Sequence, residues 1–118
     1  MGKLFVCYEK CTTCRKAKRW LEEKGIDVRE RDIKSQNPGE EELRDWHGKS
    51  GLSIGRFYNT SGQLYRSMEL SKKRGGMSED AQYKLLASDG MLVKRPILVA
   101  GDTVLVGFKQ KEWEEALS

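Results

Sequence analysis

A Cys-Thr-Thr-Cys motif at residues 11–14 is the part of this chain best suited to chemistry. It follows a short apolar segment at residues 4–8 and precedes a basic amphipathic segment at residues 15–24, so we place both cysteines on a turn between a strand and a helix. Unpaired backbone N–H groups and the positive end of the helix dipole stabilise a thiolate at such a turn. The motif therefore predicts a cysteine with a lowered pKa that reacts as a nucleophile at neutral pH.

The cysteine pair has two other interpretations, a zinc site and an inert pair. Structural zinc takes four ligands, and beyond the pair the chain offers only Cys7 and His47. Cys7 lies within the predicted strand, where a free cysteine usually packs as a small hydrophobic residue, and the polar surroundings of His47 predict an exposed, solvated side chain. The ligand count and the position at a helix start favour a redox pair. We expect neither a metal nor a bound cofactor, while an inert pair stays open.

Length and composition limit the class of protein. With 118 residues, the chain is long enough for one hydrophobic core and too short for two. It contains no apolar run long enough to span a membrane, and no segment fits a signal peptide. The odd number of cysteines, 3, suits a reducing compartment, so we expect a cytoplasmic protein. A net charge of +4 does not indicate nucleic acid, and we predict no direct nucleic-acid contact and no membrane partner.

Hydrophobic periodicity predicts a strand, a helix and a parallel strand, then a helical insertion, and finally a β-hairpin followed by a helix. The predicted strands cover residues 4–8, 27–33, 97–100 and 103–106, and the predicted helices cover residues 15–24, 39–47, 63–66, 79–87 and 109–117. The polar alternation of the second strand predicts an edge position, Gly48 and Gly51 are expected to end the second helix, and residues 72–76 are expected to form a loop. The three tryptophans are expected to pack in the core.

This order of elements is that of a thioredoxin-like fold. We therefore predict one α/β domain over residues 1–118, with a four-stranded mixed sheet and an inserted helical subdomain at about residues 38–90. Pro96 directly precedes the third strand, and in thioredoxin-like folds the proline at this place is cis and its loop faces the active-site cysteine. Arg95 is then expected near Cys11, where it holds an anionic group or stabilises the thiolate. The alternative is an ordinary proline at a strand start beside a solvated arginine.

Three segments, at residues 8–17, 59–62 and 85–97, make the chain resemble the arsenate reductase family of the glutaredoxin-like type, which also contains the Spx transcriptional regulators. The resemblance implies a thioredoxin-like sheet with an inserted helical subdomain. It also implies that Cys11 is the nucleophile and that Arg95 is one of three arginines around an oxyanion. The other two arginines belong near Asn59 and Gly107, and neither position is basic here.

The motif and the resemblance together predict a thiol-disulfide oxidoreductase. Cys11 attacks a substrate disulfide or oxidised thiol, and Cys14 resolves the mixed disulfide. Glutathione or thioredoxin is the expected reductant, and the expected partner is a thiol or disulfide substrate or a redox protein. The predicted site residues are Cys11 and Cys14 for catalysis and Thr12, Thr13, Arg95 and Pro96 for substrate binding, with Thr12 and Thr13 presenting backbone N–H groups.

Two alternatives to this enzyme remain open. An Spx-like redox-sensing regulator uses the same pair as a switch and binds the α subunit of RNA polymerase. A fold that serves only as a binding module has a Cys11 of ordinary reactivity, with a pKa of about 8.5. Tyr8 and Phe108 belong to segments that the predicted fold brings towards Cys11.

Overall fold

The central sheet has four strands in the order β2-β1-β3-β4. In the computed structural model, which describes residues 2–117, the strands are β1 (Lys3–Cys7), β2 (Val28–Asp32), β3 (Ile97–Ala100) and β4 (Thr103–Val106). β1 runs parallel to β2 and antiparallel to β3, and β3 and β4 form an antiparallel hairpin. The predicted mixed sheet is confirmed, and β2 lies at its edge, as its polar sequence predicts.

Helices cover both faces of this sheet. α1 (Thr12–Glu23) and α6 (Gln110–Leu117) pack on one face, and the segment between β2 and β3 covers the other. That segment contains α2 (Glu40–Ser50), α3 (Gln63–Ser67), α4 (Leu70–Lys73) and α5 (Glu79–Ser88), with 3₁₀ turns at Ile54–Phe57, Arg74–Gly76 and Gly90–Leu92. The thioredoxin-like fold with an inserted helical subdomain is thus confirmed.

Alternation along β1 divides the core into two clusters. Phe5 faces α1 and α6 while Val6 faces the inserted helices, because successive side chains of a strand point to opposite faces. On the first side, Trp113 packs edge-on against Phe5 and Trp20, with ring centroids 6.3 and 6.2 Å apart. Its indole N–H donates to the Gly107 carbonyl at 3.1 Å. All three tryptophans are buried, as predicted.

Three details of the inserted segment differ from the sequence predictions. Gly48 lies inside α2, which continues to Ser50 and ends at Gly51 in the left-handed conformation (φ 71°). Residues 72–76, predicted as a loop, belong instead to α4 and the 3₁₀ turn that follows it, because buried Leu70 anchors this stretch to the core. His47 is half-buried rather than solvated, and its Nδ1 lies 2.6 Å from the Tyr83 hydroxyl.

Within residues 2–117, no helix is both long and apolar enough to cross a membrane.

Candidate active site

The two motif cysteines lie at the start of α1. Cys11 is the N-cap residue, and Cys14 lies in the first turn, because α1 begins at Thr12, three residues before the predicted start. The Cys11 carbonyl accepts from the Arg15 N–H at 3.1 Å, which closes this first turn. The helix presents Cys11 at the half-exposed end of the turn and buries Cys14, which is 3% exposed, against the sheet.

The backbone of Tyr8 connects both cysteines to the end of β1. Its N–H donates to the Cys14 sulfur at 3.3 Å, and its carbonyl accepts from the Cys11 N–H at 3.0 Å. The Arg15 side chain adds a hydrogen bond from its Nε to the Glu9 carbonyl at 2.9 Å. The turn that carries the motif is therefore fixed by main-chain hydrogen bonds, which position both sulfurs relative to the sheet.

The surroundings of the two sulfurs give them different protonation states. Partial burial pushes the pKa of Cys11 upward, but hydrogen bonds from the Cys14 N–H and thiol, together with the Arg95 guanidinium, outweigh it and lower this pKa. Burial raises the pKa of Cys14 to about 12 despite its bond from the Tyr8 N–H. At neutral pH, Cys11 is therefore the thiolate-forming residue and Cys14 is a protonated thiol.

Arg95 brings a cation to Cys11 from the loop before β3. The Arg95–Pro96 peptide bond is cis, as predicted for this loop. The guanidinium carbon lies 5.1 Å from the centre of the Tyr8 ring, and the guanidinium interacts with Cys11. Its Nε and Nη1 are buried and have no hydrogen-bond partner among residues 2–117. Buried donors without partners are rare and cost free energy, so these N–H groups are suited to an incoming anionic group.

One known protein family matches this sequence over most of its length. The profile of the ArsC family matches residues 7–116, which include the last residue of β1, the cysteine pair, the inserted helices and the loop of Arg95. The chain belongs to the ArsC family.

Relatives of this ArsC-family chain include both uncharacterised and regulatory proteins. The chain is 52% identical to the uncharacterised protein YusI of Bacillus subtilis, with 98% of each chain covered. It is 30% identical to the regulatory protein MgsR of Bacillus subtilis over 92% of this chain and 84% of MgsR. It is 28% identical to the global transcriptional regulator Spx 2 of Bacillus anthracis over 86% of this chain and 76% of the regulator.

Solved structures of the ArsC family show the same fold. A crystal structure of an ArsC-family-related protein from Bacteroides fragilis has a TM-score of 0.95 and 49% sequence identity, covering 98% of this chain and 97% of that one. The arsenate reductase of Vibrio cholerae has a TM-score of 0.87 at 24% identity, covering 99% and 98% of the two chains, and therefore supports the fold alone.

The remaining predicted site residues differ in how they are placed in this ArsC-family structure. Thr12 and Thr13 form the exposed first turn of α1 beside Cys11, whereas the hydrogen bonds described at Cys11 come from Cys14 and Arg95. Pro96 is buried, and its carbonyl accepts from the Gly107 N–H at 2.8 Å. Phe108 packs against Trp113 at 5.0 Å between centroids and so belongs to the core beside α6.

Among residues 2–117, no cluster of three or more His, Cys, Asp or Glu residues is arranged to hold a metal ion.

The two positions that the arsenate reductase resemblance singled out as arginine sites hold uncharged residues with backbone roles. The Asn59 N–H donates to the Leu92 carbonyl at 2.8 Å and ties the inserted segment to the loop before β3. Gly107 adopts a left-handed conformation (φ 75°), and a Cβ there would lie 3.3 Å from the Lys94 Cε. Of the three positions that the resemblance implies, only that of Arg95 therefore supplies a guanidinium to Cys11.

Replacing Arg95 with methionine is expected to raise the pKa of Cys11, because the variant loses a cation and a hydrogen-bond donor. Loss of one adjacent charge shifts a pKa by about one unit, so alkylation of Cys11 should slow roughly tenfold at any pH below the pKa of Cys11 in the unmodified protein. The pH dependence of iodoacetamide alkylation, followed on the peptide of residues 11–15, measures this change. In Arg95→Met, the alkylation rate of Cys11 should level off at a higher pH than in the unmodified protein. Arg95→Lys keeps the positive charge, so its pH profile should stay close to that of the unmodified protein. Identical pH profiles for Arg95→Met and the unmodified protein would remove Arg95 from this role.

Proposed function

We propose that this ArsC-family protein is a thiol-disulfide oxidoreductase that uses Cys11 and Cys14. The Cys11 thiolate attacks one sulfur of a substrate disulfide, forms a mixed disulfide and releases the other substrate sulfur as a thiolate. Cys14 then loses its proton and attacks the Cys11 sulfur, which releases the second substrate thiolate and leaves a Cys11–Cys14 disulfide. The substrate gains the two electrons that the cysteine pair loses.

The opposite protonation preferences of two neighbouring thiols carry this proposal. A nucleophile needs an ionised, accessible sulfur, which the helix start and Arg95 favour at Cys11. A resolving thiol acts only after the mixed disulfide forms, and Cys14 is buried with a pKa raised to about 12 by desolvation. Burial and charge therefore support the attacking role of Cys11 and the resolving role of Cys14, in addition to their positions in the motif.

The Arg95 guanidinium favours the binding of a substrate disulfide that carries a carboxylate. Its unpaired Nε and Nη1 donors provide charge-assisted hydrogen bonds beside the attacking sulfur. We propose that the exposed turn at Thr12 and Thr13, next to Cys11 in the chain, and the loop at Pro96, next to Arg95, also contact the substrate. Glutathione carries such carboxylates, and glutathione or thioredoxin is the proposed reductant of the Cys11–Cys14 bond.

Arsenate is less favoured than a disulfide as the substrate. An oxyanion that carries several negative charges is held best by several cations. The described site offers the Arg95 guanidinium at Cys11, while Asn59 and Gly107 supply backbone contacts where the resemblance implies arginines. A disulfide that carries one carboxylate needs only one cationic anchor, together with an ionised nucleophile.

A trapping experiment with oxidised glutathione tests the proposal. In Cys14→Ser the resolving thiol is missing, so we expect a stable adduct of one glutathione per chain on the peptide of residues 11–15. The matched control, Cys11→Ser, keeps a buried thiol of high pKa at position 14 and should remain largely unmodified over the same time. Mass spectrometry of alkylated tryptic peptides identifies the adduct. Equal adduct formation in both variants, or none in Cys14→Ser, would contradict the assigned roles.

A regulatory role is the second candidate, because MgsR and Spx 2 are relatives over most of this chain. In this alternative, the Cys11–Cys14 disulfide alters the affinity for the α subunit of RNA polymerase instead of completing a catalytic cycle. Capture of purified α subunit by the reduced and by the oxidised protein distinguishes the two candidates. Redox-dependent capture would favour regulation, whereas equal absence of binding in both states would remove this candidate.

A further inference from the structure

A third thiol lies beside the cysteine pair, on the same side of the sheet. Cys7 is the last residue of β1 and is half-buried against the cluster that contains Phe5 and Ala17. Cys7 and Cys14 line one groove of about 460 Å³ between α1 and β2, which Lys18 and Glu30 also border. The function proposed above leaves this thiol unused.

The distance between Cys7 and Cys14 is limited by the main-chain hydrogen bond at Tyr8. The Cys14 sulfur lies 3.3 Å from the Tyr8 nitrogen. Standard backbone dimensions place that nitrogen roughly 2.4 Å from the Cys7 Cα, so the Cys14 sulfur is within about 6 Å of this Cα. A disulfide joins two sulfurs about 2.0 Å apart. The Cys7 sulfur is two bonds away from its own Cα, and both cysteines line the same groove. A rotation of the Cys7 side chain towards α1 therefore brings its sulfur close to that of Cys14.

Cys7 is not in a disulfide, and its side chain makes only a weak polar contact. Its sulfur lies 4.0 Å from a Glu30 carboxylate oxygen, and that oxygen is also paired with the Lys18 ammonium at 3.3 Å. A thiol–carboxylate contact of this length is weak, so a rotation of the side chain costs little. The groove beside Cys7 gives the side chain room to turn.

We propose that Cys7 is a third redox thiol, which takes over the disulfide from the pair so that oxidation ends as a Cys7–Cys14 bond. The proposal rests on the oxidoreductase function, which supplies the Cys11–Cys14 disulfide from a substrate disulfide. Cys7 loses its proton to solvent, and its sulfur attacks the Cys14 sulfur. The Cys7–Cys14 bond forms, the Cys11–Cys14 bond breaks, and Cys11 leaves as a thiolate. This exchange moves the disulfide without net oxidation.

The environments of the three sulfurs determine the direction and the order of the exchange. A disulfide exchange proceeds well when the leaving sulfur is stabilised as a thiolate, and Cys11 is the sulfur stabilised in this way. Burial, with Glu30 adding to it, raises the pKa of Cys7 to about 11, so little Cys7 is ionised at neutral pH. The Cys11–Cys14 bond should therefore form first and the Cys7–Cys14 bond later. The exchange frees Cys11 for a second attack.

The tryptic peptides of this chain distinguish the two disulfides directly. Trypsin separates Cys7, on the peptide of residues 4–10, from the cysteine pair, on the peptide of residues 11–15. The reduced protein is mixed with oxidised glutathione, quenched in acid at successive times, alkylated, digested and analysed by mass spectrometry. We expect an internal disulfide in peptide 11–15 at early times and a cross-link between the two peptides later. Fragmentation of the cross-linked pair should place the bond at Cys14 and the alkyl group at Cys11.

Variants assign the bond and separate the two proposals. Cys7→Ser should lose the cross-linked peptides and keep the internal disulfide, and Cys14→Ser should lose both. Cys7→Ala repeats the first test without a hydroxyl group and should give the same peptides. An internal disulfide that persists in the unmodified protein while Cys7 stays alkylated would overturn the relay and leave the oxidoreductase function intact. A cross-link from Cys7 to Cys11 would also overturn the relay, and the absence of any disulfide would overturn both proposals.

Discussion

Replacing Cys11 with serine is expected to lower the rate of disulfide reduction by roughly a thousandfold or more, the scale seen when an enzyme loses its nucleophile. A serine hydroxyl at the N-cap stays protonated at neutral pH, so the hydrogen bonds and the Arg95 charge that stabilise a thiolate have no ionised group to act on. Turnover of a small-molecule disulfide coupled to glutathione or thioredoxin reduction measures the loss.

The control for this variant must show that the fold is intact. Serine is an ordinary N-cap residue, so Cys11→Ser should retain the circular dichroism and the tryptophan fluorescence of the unmodified protein. Thr103→Ser, a change of similar size in the β-hairpin, should leave turnover unchanged. A Cys11→Ser protein that is folded and fully active would exclude the proposed chemistry.

Replacing Gly90 with alanine is expected to destabilise the fold by about 3 kcal/mol or more. A Cβ at this buried position would lie 1.8 Å from the Ile33 carbonyl oxygen, at the place where the chain leaves β2. Overpacking costs about 1–3 kcal/mol even where side chains yield, and here a backbone must move. In thermal unfolding, we expect the Tm to fall by roughly 10 °C or more.

Gly48→Ala provides a matched control for the loss at Gly90. Gly48 lies in the interior of α2, and a Cβ there meets no other atom within 4 Å. Because alanine is the better helix former, this variant should gain about 0.5–1 kcal/mol in the free energy of unfolding. If both variants shift the Tm equally, the close approach of Gly90 to Ile33 is not what the stability depends on.

The fold was predictable where hydrophobic periodicity coincides with the core. Phe5 belongs to the short apolar run that predicts β1, and Ala17, Trp20 and Leu21 repeat at the spacing of a helix; all four are buried. Residues 70–76 have no such repeat, since Leu70 is the buried anchor of a helix of only four residues. A single anchor among glycines and charged residues looks like a loop, and only the surrounding core makes the segment helical.

The candidate site was predictable in its side chains and not in its main-chain contacts. The spacing of the cysteine pair and the place of Arg95 before Pro96 predicted which groups meet. The hydrogen bonds that Tyr8 makes to both cysteines use its N–H and carbonyl, which every non-proline residue carries and no sequence pattern marks. The odd count of cysteines was the one available signal for Cys7, and its place beside Cys14 emerges only from the packing of α1 on the sheet.

The position of Cys11 at the N-cap links its protonation to folding. The neutral thiol forms no capping hydrogen bond, whereas the Cys14 N–H stabilises the ionised sulfur. Because the pKa of Cys11 is lower in the folded than in the unfolded chain, the folded state binds fewer protons. This contribution to stability is fully present above the unfolded pKa and is lost as the pH falls through the folded pKa. A disulfide at Cys11 also removes it, so the same negative charge serves as the reacting group and as the cap of α1.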